Sequence, residues 1–332
     1  MVFGRQKMSA AFALPCLRRI LFGVAFTTFV IVLSTSVLAQ THSPCGLAPV
    51  IEAVGGNATA CDPQHVRNLA NHGSAFEQNQ MGLASILRIS PEYPSQDALK
   101  WFEKAARQGY APAEVNLGVM YANGWGVEKN YAKALLFFQS AARQGSARAN
   151  YSLGILYMNG QGVKQDYSAA RARFQAAASA GDTNAETDLG YLYDRGLGGP
   201  QDLQRALELY TRAAQAGNAL AQHNLGDLYL RGEGVPQSDA IALMWFRKAA
   251  AQGQTGAEIK LAYMLAEGRG ARKDPEQAYR LLSAAAEAGD NRGEEMLRSL
   301  RAQLNQEQIQ RANQQPQHES SANRETANAF VP

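Results

Sequence analysis

Cysteine is scarce in this chain. Three in 332 residues are too few for a disulfide-dense scaffold or a cysteine-rich zinc domain. The five histidines are scattered and do not cluster as metal ligands. No G-x-S-x-G or S-x-x-K anchors serine chemistry, and no H-E-x-x-H or P-loop is present. No catalytic residue, metal ligand or cofactor is therefore expected. An excess of one charge is missing too. The formal charge of +3 comes from residues 1–39, which hold Arg5, Lys7, Arg18 and Arg19 and no acid; the remainder carries 28 basic against 29 acidic residues. A near-neutral chain with mixed charges gives no electrostatic reason to bind nucleic acid or an anionic membrane surface.

A long apolar run is also lacking. Ile20 to Leu33 is apolar over 14 residues, short of the about 20 that span a bilayer. Arg18 and Arg19 precede it, and Val37 and Ala39 supply the small residues of a cleavage site. Residues 1–39 therefore read as a secretory signal cleaved after Ala39. An uncleaved N-terminal anchor in the inner membrane is the competing reading. Both place residues 40–332 outside the cytoplasm, in the periplasm or secreted, and cleavage leaves no stable membrane insertion. Cys16 leaves with the signal. Cys45 and Cys61 remain as an even pair in an oxidising compartment, and a disulfide between them is expected, worth about 3 kcal/mol. A redox role lacks the C-x-x-C spacing. Residues 40–73 form an N-terminal cap segment that this bridge would staple.

What the chain has in abundance is small residues in step. Gly73, Gly109, Gly145, Gly181, Gly217, Gly253 and Gly289 recur every 36 residues. Gly82, Gly118, Gly154, Gly190 and Gly226 keep the same step, with Ala262 at the last copy. Alanines at 98, 134, 170, 206, 242 and 278, and at 105, 141, 177, 213, 249 and 285, do likewise. Such lockstep is the mark of a repeat architecture. Each unit reads as two helices. In residues 110–145 the stripe Ala113, Leu117, Gly118, Tyr121 is helical, Gly124-Trp125-Gly126 breaks it, and Ala134, Phe138, Ala141, Ala142 form a second stripe closed by Gly145. One unit buries only one face alone, so stacked neighbours must complete the core. Six units span residues 74–289. The first and last copies depart most from the pattern, as terminal capping repeats do. Residues 290–304 carry Met296, Leu297, Leu300 and Leu304 and read as a C-terminal capping helix. Residues 305–332, rich in Gln, Asn, Ser and Glu, read as a disordered tail.

The pattern A-x-x-x-L-G-x-x-Y-x-x-G-x-G-V, seen at Ala113–Val127, Ala149–Val163 and Ala221–Val235, with A-x-x-x-F-x-x-A-A-x-x-G after it, resembles the Sel-one-like repeat (SLR). That family is a relative of the tetratricopeptide repeat (TPR), and many of its members are exported bacterial proteins. The resemblance implies an all-α fold, a right-handed α/α superhelical solenoid of helix-turn-helix repeats. It implies scaffolds that bring proteins together, with the first helix of each unit lining a concave groove. By motif match, groove positions lie three before the central glycine and one, four and five after it. They read Val115, Val119, Ala122 and Asn123; Tyr151, Ile155, Met158 and Asn159; Thr187, Tyr191, Asp194 and Arg195; His223, Asp227, Leu230 and Arg231; Ile259, Tyr263, Ala266 and Glu267. The candidates for partner contact are Tyr151, Ile155, Met158, Asn159, Tyr191, Arg195, His223, Asp227, Arg231 and Tyr263. Tyr and Arg are favoured interface anchors. The competing reading leaves these positions merely solvent-facing.

The expected activity is non-catalytic capture of a protein or peptide, cell-envelope proteins included, by a monomer. Two alternatives stand beside it. One is an envelope hydrolase or its regulator acting on peptidoglycan. The β-lactamase-like activity attributed to some relatives attaches to cysteine-rich members, and residues 74–289 hold no cysteine. The other is a purely structural assembly factor.

Overall fold

The computed structural model describes residues 73–87 and 97–314. Among them there are fourteen helices and no strand. They are α1 (Ala75–Leu87), α2 (Ala98–Arg107), α3 (Ala111–Asn123), α4 (Tyr131–Arg143), α5 (Ala147–Asn159), α6 (Tyr167–Ser179), α7 (Thr183–Arg195), α8 (Leu203–Gln215), α9 (Ala219–Arg231), α10 (Asp239–Ala250), α11 (Thr255–Glu267), α12 (Pro275–Glu287), α13 (Asn291–Arg301) and α14 (Gln306–Gln314). The signal, the Cys45–Cys61 pair and the cap segment up to residue 72 lie outside the described residues.

The described residues fall into two units: residues 73, 80–87 and 97–98 in one, and residues 74–79 and 99–314 in the other. In the first, Met81 is buried and Ser85 Oγ donates to its carbonyl at 2.9 Å. The second is an all-α tandem solenoid. From α3 onward the two helices of each repeat pack on one another, and each second helix packs on the first helix of the next repeat, up to α13.

The helix boundaries follow from local chemistry. Second helices start at Asn130, Asp166, Asp202, Ser238 and Asp274, whose side chains accept from the N–H three residues on. Such caps satisfy the open donors of a helix start. The same residues donate their own N–H back to the first helix of the repeat, at Tyr121, Tyr157, Tyr193, Tyr229 and Leu265, over 2.8–3.0 Å. That bond fixes the turn between the two helices. First helices begin at Ser146, Asp182, Asn218 and Gln254, which cap in the same manner, and at Asp290, which accepts from the N–H two residues on.

The glycines separate by mechanism. Gly217 has φ +93, and a Cβ placed there would meet nothing within 4 Å, so backbone conformation alone selects it. At Gly198 (φ +74) a Cβ would also stand 2.4 Å from the Tyr167 carbonyl carbon, at the start of the preceding second helix. The turn of one repeat thus rests directly on the backbone of its neighbour. Gly154 sits inside α5, where a Cβ would meet the Phe174 ring at 2.4 Å. There the reason is helix-to-helix approach.

A buried polar series runs beside the apolar core. Glu114 accepts from Ser140 (2.8 Å) and Gln144 (2.9 Å), Glu186 from Arg212 (2.9 Å), and Gln222 from Gln252 (2.9 Å). Each bond joins the two helices of one repeat, and each satisfies a polar group that burial would otherwise penalise.

At the C-terminal end the structure corrects the expected tail as far as residue 314; residues 315–332 lie outside the described residues. Residues 306–314 are helical. Asn305 and Gln308 bond reciprocally, backbone N–H to side chain, at 3.0 and 2.8 Å, a capping box. Ala312 is fully buried and Ile309 partly so in the C-terminal core, and Arg311 donates to Glu276 at 2.8 Å. Two apolar side chains, a cap and an ion pair order a segment whose composition alone reads as disordered.

Candidate functional site

The structure sorts the candidate residues into two groups. The position three before the central glycine does not line an open face. Val115, Thr187 and Ile259 are buried. Tyr151 and His223 are half-buried and tilt onto the ring of their own second helix: Tyr151 on Phe174 with centroids at 5.7 Å, His223 on Phe246 at 5.6 Å. Ile155 also departs from the expectation. It is buried in the core with Phe174, Leu189 and Leu192, because a branched aliphatic at that register fits between α5 and its neighbours.

The remaining candidates reach solvent. Tyr191 and Tyr263, at one register on α7 and α11, are each 41% exposed. Asn159 and Arg195 are exposed, and Met158 is half-buried. Arg195 lies over the Tyr191 ring at 5.9 Å. Arg269 is held by both oxygens of Asp239, at 2.7 and 2.9 Å.

Between the two tyrosines runs an ion network. Buried Asp194 lies 3.8 Å from Arg195 and 3.7 Å from Arg231, and Arg231 also meets Glu233 at 2.7 Å. Asp227 sits 3.9 Å from His223 and 3.2 Å from Lys260. Burial pushes the Asp194 carboxyl above its ordinary range, against the pull of Arg231 and Arg195. Burial likewise holds His223 below its usual value; Asp227 opposes that shift, while Lys260 and Arg292 add to it. Both groups are thus biased toward neutral forms.

Sequence reasoning passed over Asp188, whose charge acts on Tyr151 from the next repeat, and Lys260, which pairs with Asp227. Both lie two residues before the central small residue, at a register that motif matching does not mark as lining. The repeating cap series 130, 166, 202, 238 and 274 was also readable in the 36-residue step. Of the tryptophans, Trp125 is 45% exposed, Trp101 is buried, and Trp245 packs partly against the core around Tyr210.

Among the described residues, no group of three or more His, Cys, Asp or Glu is placed to hold a metal ion. No described helix is long and apolar enough to cross a membrane. What the face offers is aromatic surface, hydrogen-bonding groups and paired charges. Such a face can bind, and its acids Asp194 and Asp227 are engaged with cations.

The family model of the Sel1 repeat matches residues 94–110, 111–146, 147–182, 183–218, 219–254 and 255–290. Among solved structures the chain is similar to a protective antigen of uropathogenic Escherichia coli displaying an SLR fold, at 34% identity and a TM-score of 0.65. The match covers 72% of this chain and 51% of that protein, about half its length. A Sel1 repeat protein from Oxalobacter formigenes matches at 31% identity and a TM-score of 0.61, over 68% of this chain and 88% of the other. No curated protein matches. The 36-residue helix pairs, the turn glycines and these matches agree: the chain belongs to the Sel1-repeat family.

Proposed function

We propose that this protein is a non-catalytic adaptor that takes a protein or an extended peptide on the face formed by its first helices. The observation that carries the reading is the pair Tyr191 and Tyr263. Two large aromatic side chains stand exposed at one register, two repeats apart, where the scaffold positions around them are fixed by packing. Exposed aromatic surface beside Arg is the composition of an interface anchor. The Sel1-repeat scaffold is consistent with protein binding.

Export belongs to the same proposal: Arg18-Arg19, the apolar run to Leu33 and Ala39 direct the chain out of the cytoplasm, where cell-envelope proteins are candidate partners. N-terminal sequencing of the mature protein tests cleavage after Ala39.

The test of binding is chemical cross-linking in the envelope fraction, with identification of what is captured. Wild type is expected to enrich a defined partner, and Tyr191→Ala with Tyr263→Ala to lose it while helicity by circular dichroism is kept. Equal capture by both proteins would sink the reading.

A further inference from the structure

Along the face from α7 to α11 the charges are layered. The Asp194 side chain is 7% exposed and that of Arg195 52%. Arg231 also stands further out than Asp194, and Lys260 further out than Asp227. Carboxylates lie beneath and cations above, so the groups an incoming chain meets first are mostly positive. Glu233, at the turn after α9, is the exception; it is as open to solvent as the Arg231 it pairs with.

The repeat register separates the two arginines. Arg195 and Arg231 each end a first helix, five residues after the central glycine. Two residues further on, the later repeat has Glu233, which meets Arg231 at 2.7 Å. The earlier repeat has Leu197 there, packed against the core around Phe174. Arg231 also donates to the Asp227 carbonyl at 3.3 Å. Arg195 is left with Asp194 at 3.8 Å, a separation longer than a hydrogen bond, and shares that acid with Arg231 at 3.7 Å. Among the described residues no other acid pairs with Arg195. Its guanidinium stands half-exposed, 5.9 Å from the centroid of the exposed Tyr191 ring.

We propose that Arg195 takes the carboxylate of a Glu or Asp side chain, so that the partner this face fits is an extended acidic segment. The inference rests on the adaptor reading and narrows its partner. A planar guanidinium fork matches the two oxygens of a carboxylate, and an apolar residue next to the acid covers the Tyr191 ring. Lys260 extends the preference toward α11. Glu267, exposed at the register of Arg195 and Arg231, ends it, because a further acid there would be repelled. The segment recognised is therefore short, with its acid set opposite α7.

Fluorescence anisotropy with end-blocked dodecapeptides tests this, each built of Gly-X-Phe-Ser units with Glu, Gln or Lys at X. The purified full chain is expected to bind the Glu peptide about tenfold more tightly than the Gln peptide, and the Lys peptide least. Added salt should narrow the gap, since the contact is open to solvent. Arg195→Gln should erase the preference for Glu with helicity unchanged, and Arg195→Lys should keep part of it. Glu233→Gln releases Arg231 from its turn acid and should increase the preference severalfold, a gain that damage to the fold cannot mimic. Equal binding of the Glu and Gln peptides, no measurable binding of either, or a preference that survives Arg195→Gln overturns the proposal. So does a Gln peptide with a free C-terminal carboxylate that matches the blocked Glu peptide, because the group recognised is then a chain terminus. The adaptor reading fails separately: it falls when cross-linked capture is the same for wild type and the tyrosine variant, whereas loss of the Glu preference leaves that capture standing.

Discussion

The repeat of residues 147–182 and the repeat of residues 255–290 solve one packing problem in two ways. In the first, Gly154 lies against the fully buried ring of Phe174; the same contact recurs at Gly118 with Phe138, Gly190 with Tyr210 and Gly226 with Phe246. In the second, the glycine is Ala262, and the residue facing it in the repeat register is Leu282, both buried. A methyl group appears where a ring has gone. The repeating object is therefore a matched pair whose summed volume fills the space between two helices, and the glycine follows from the ring. Interiors packed to crystal-like density enforce such matching.

Removing the ring should cost most. Phe174→Ala is expected to destabilise by about 3–5 kcal/mol in urea denaturation, since little can collapse into the space. Adding bulk should cost less. Gly154→Ala is expected to lose about 1–3 kcal/mol to overpacking, although alanine is the better helix former by about 1 kcal/mol. Adding Phe174→Leu should recover most of that, giving a favourable coupling of at least about 0.5 kcal/mol in a double-mutant cycle. The comparison can be run backwards in the last repeat. Leu282→Phe should destabilise by about 1–3 kcal/mol, and Ala262→Gly should rescue it. Simple additivity in both cycles would break the matched-pair account. Smaller again is Gly217→Ala, about 1–2 kcal/mol: only its φ of +93 opposes a side chain, with no neighbour in reach. Gly217→Asn should be milder, because asparagine tolerates that conformation.

The scaffold was legible because packing repeats every 36 residues and leaves a periodic trace. Helix pairs, turn glycines and core stripes all follow from residues constrained at every copy. The face was less legible. Motif matching assigned Ile155 and the position of Val115, Thr187 and Ile259 to the lining, yet these side chains are buried. Near the edge of a helix stripe, a register cannot tell outward from inward; the neighbouring helix decides. Asp188 escaped for the same reason, since the Tyr151 on which its charge acts lies 37 residues away in the preceding repeat. The final helix escaped because Ile309 and Ala312 are only two apolar residues in a polar segment, and the core they complete is built by α12 and α13.

The smallest effect on stability should come where an effect on binding would be largest. Tyr191 and Tyr263 are partly exposed, and neither is needed to fill the space between helix pairs. Tyr191→Ala and Tyr263→Ala should each change stability by less than about 0.5 kcal/mol, the usual range for surface substitutions. Tyr191→Ala gives up an Arg195 contact at 5.9 Å, and Tyr263→Ala leaves Arg269 its two-oxygen bond to Asp239. Thermal melts of the two variants check this against Gly154→Ala. Were the tyrosine variants as damaging as the glycine variant, the rings would belong to the scaffold, and the division between packed repeat positions and a free recognition face would fail. If they melt with wild type, the exposure of two aromatic rings has no explanation in folding, and recognition is the physical reason left for it.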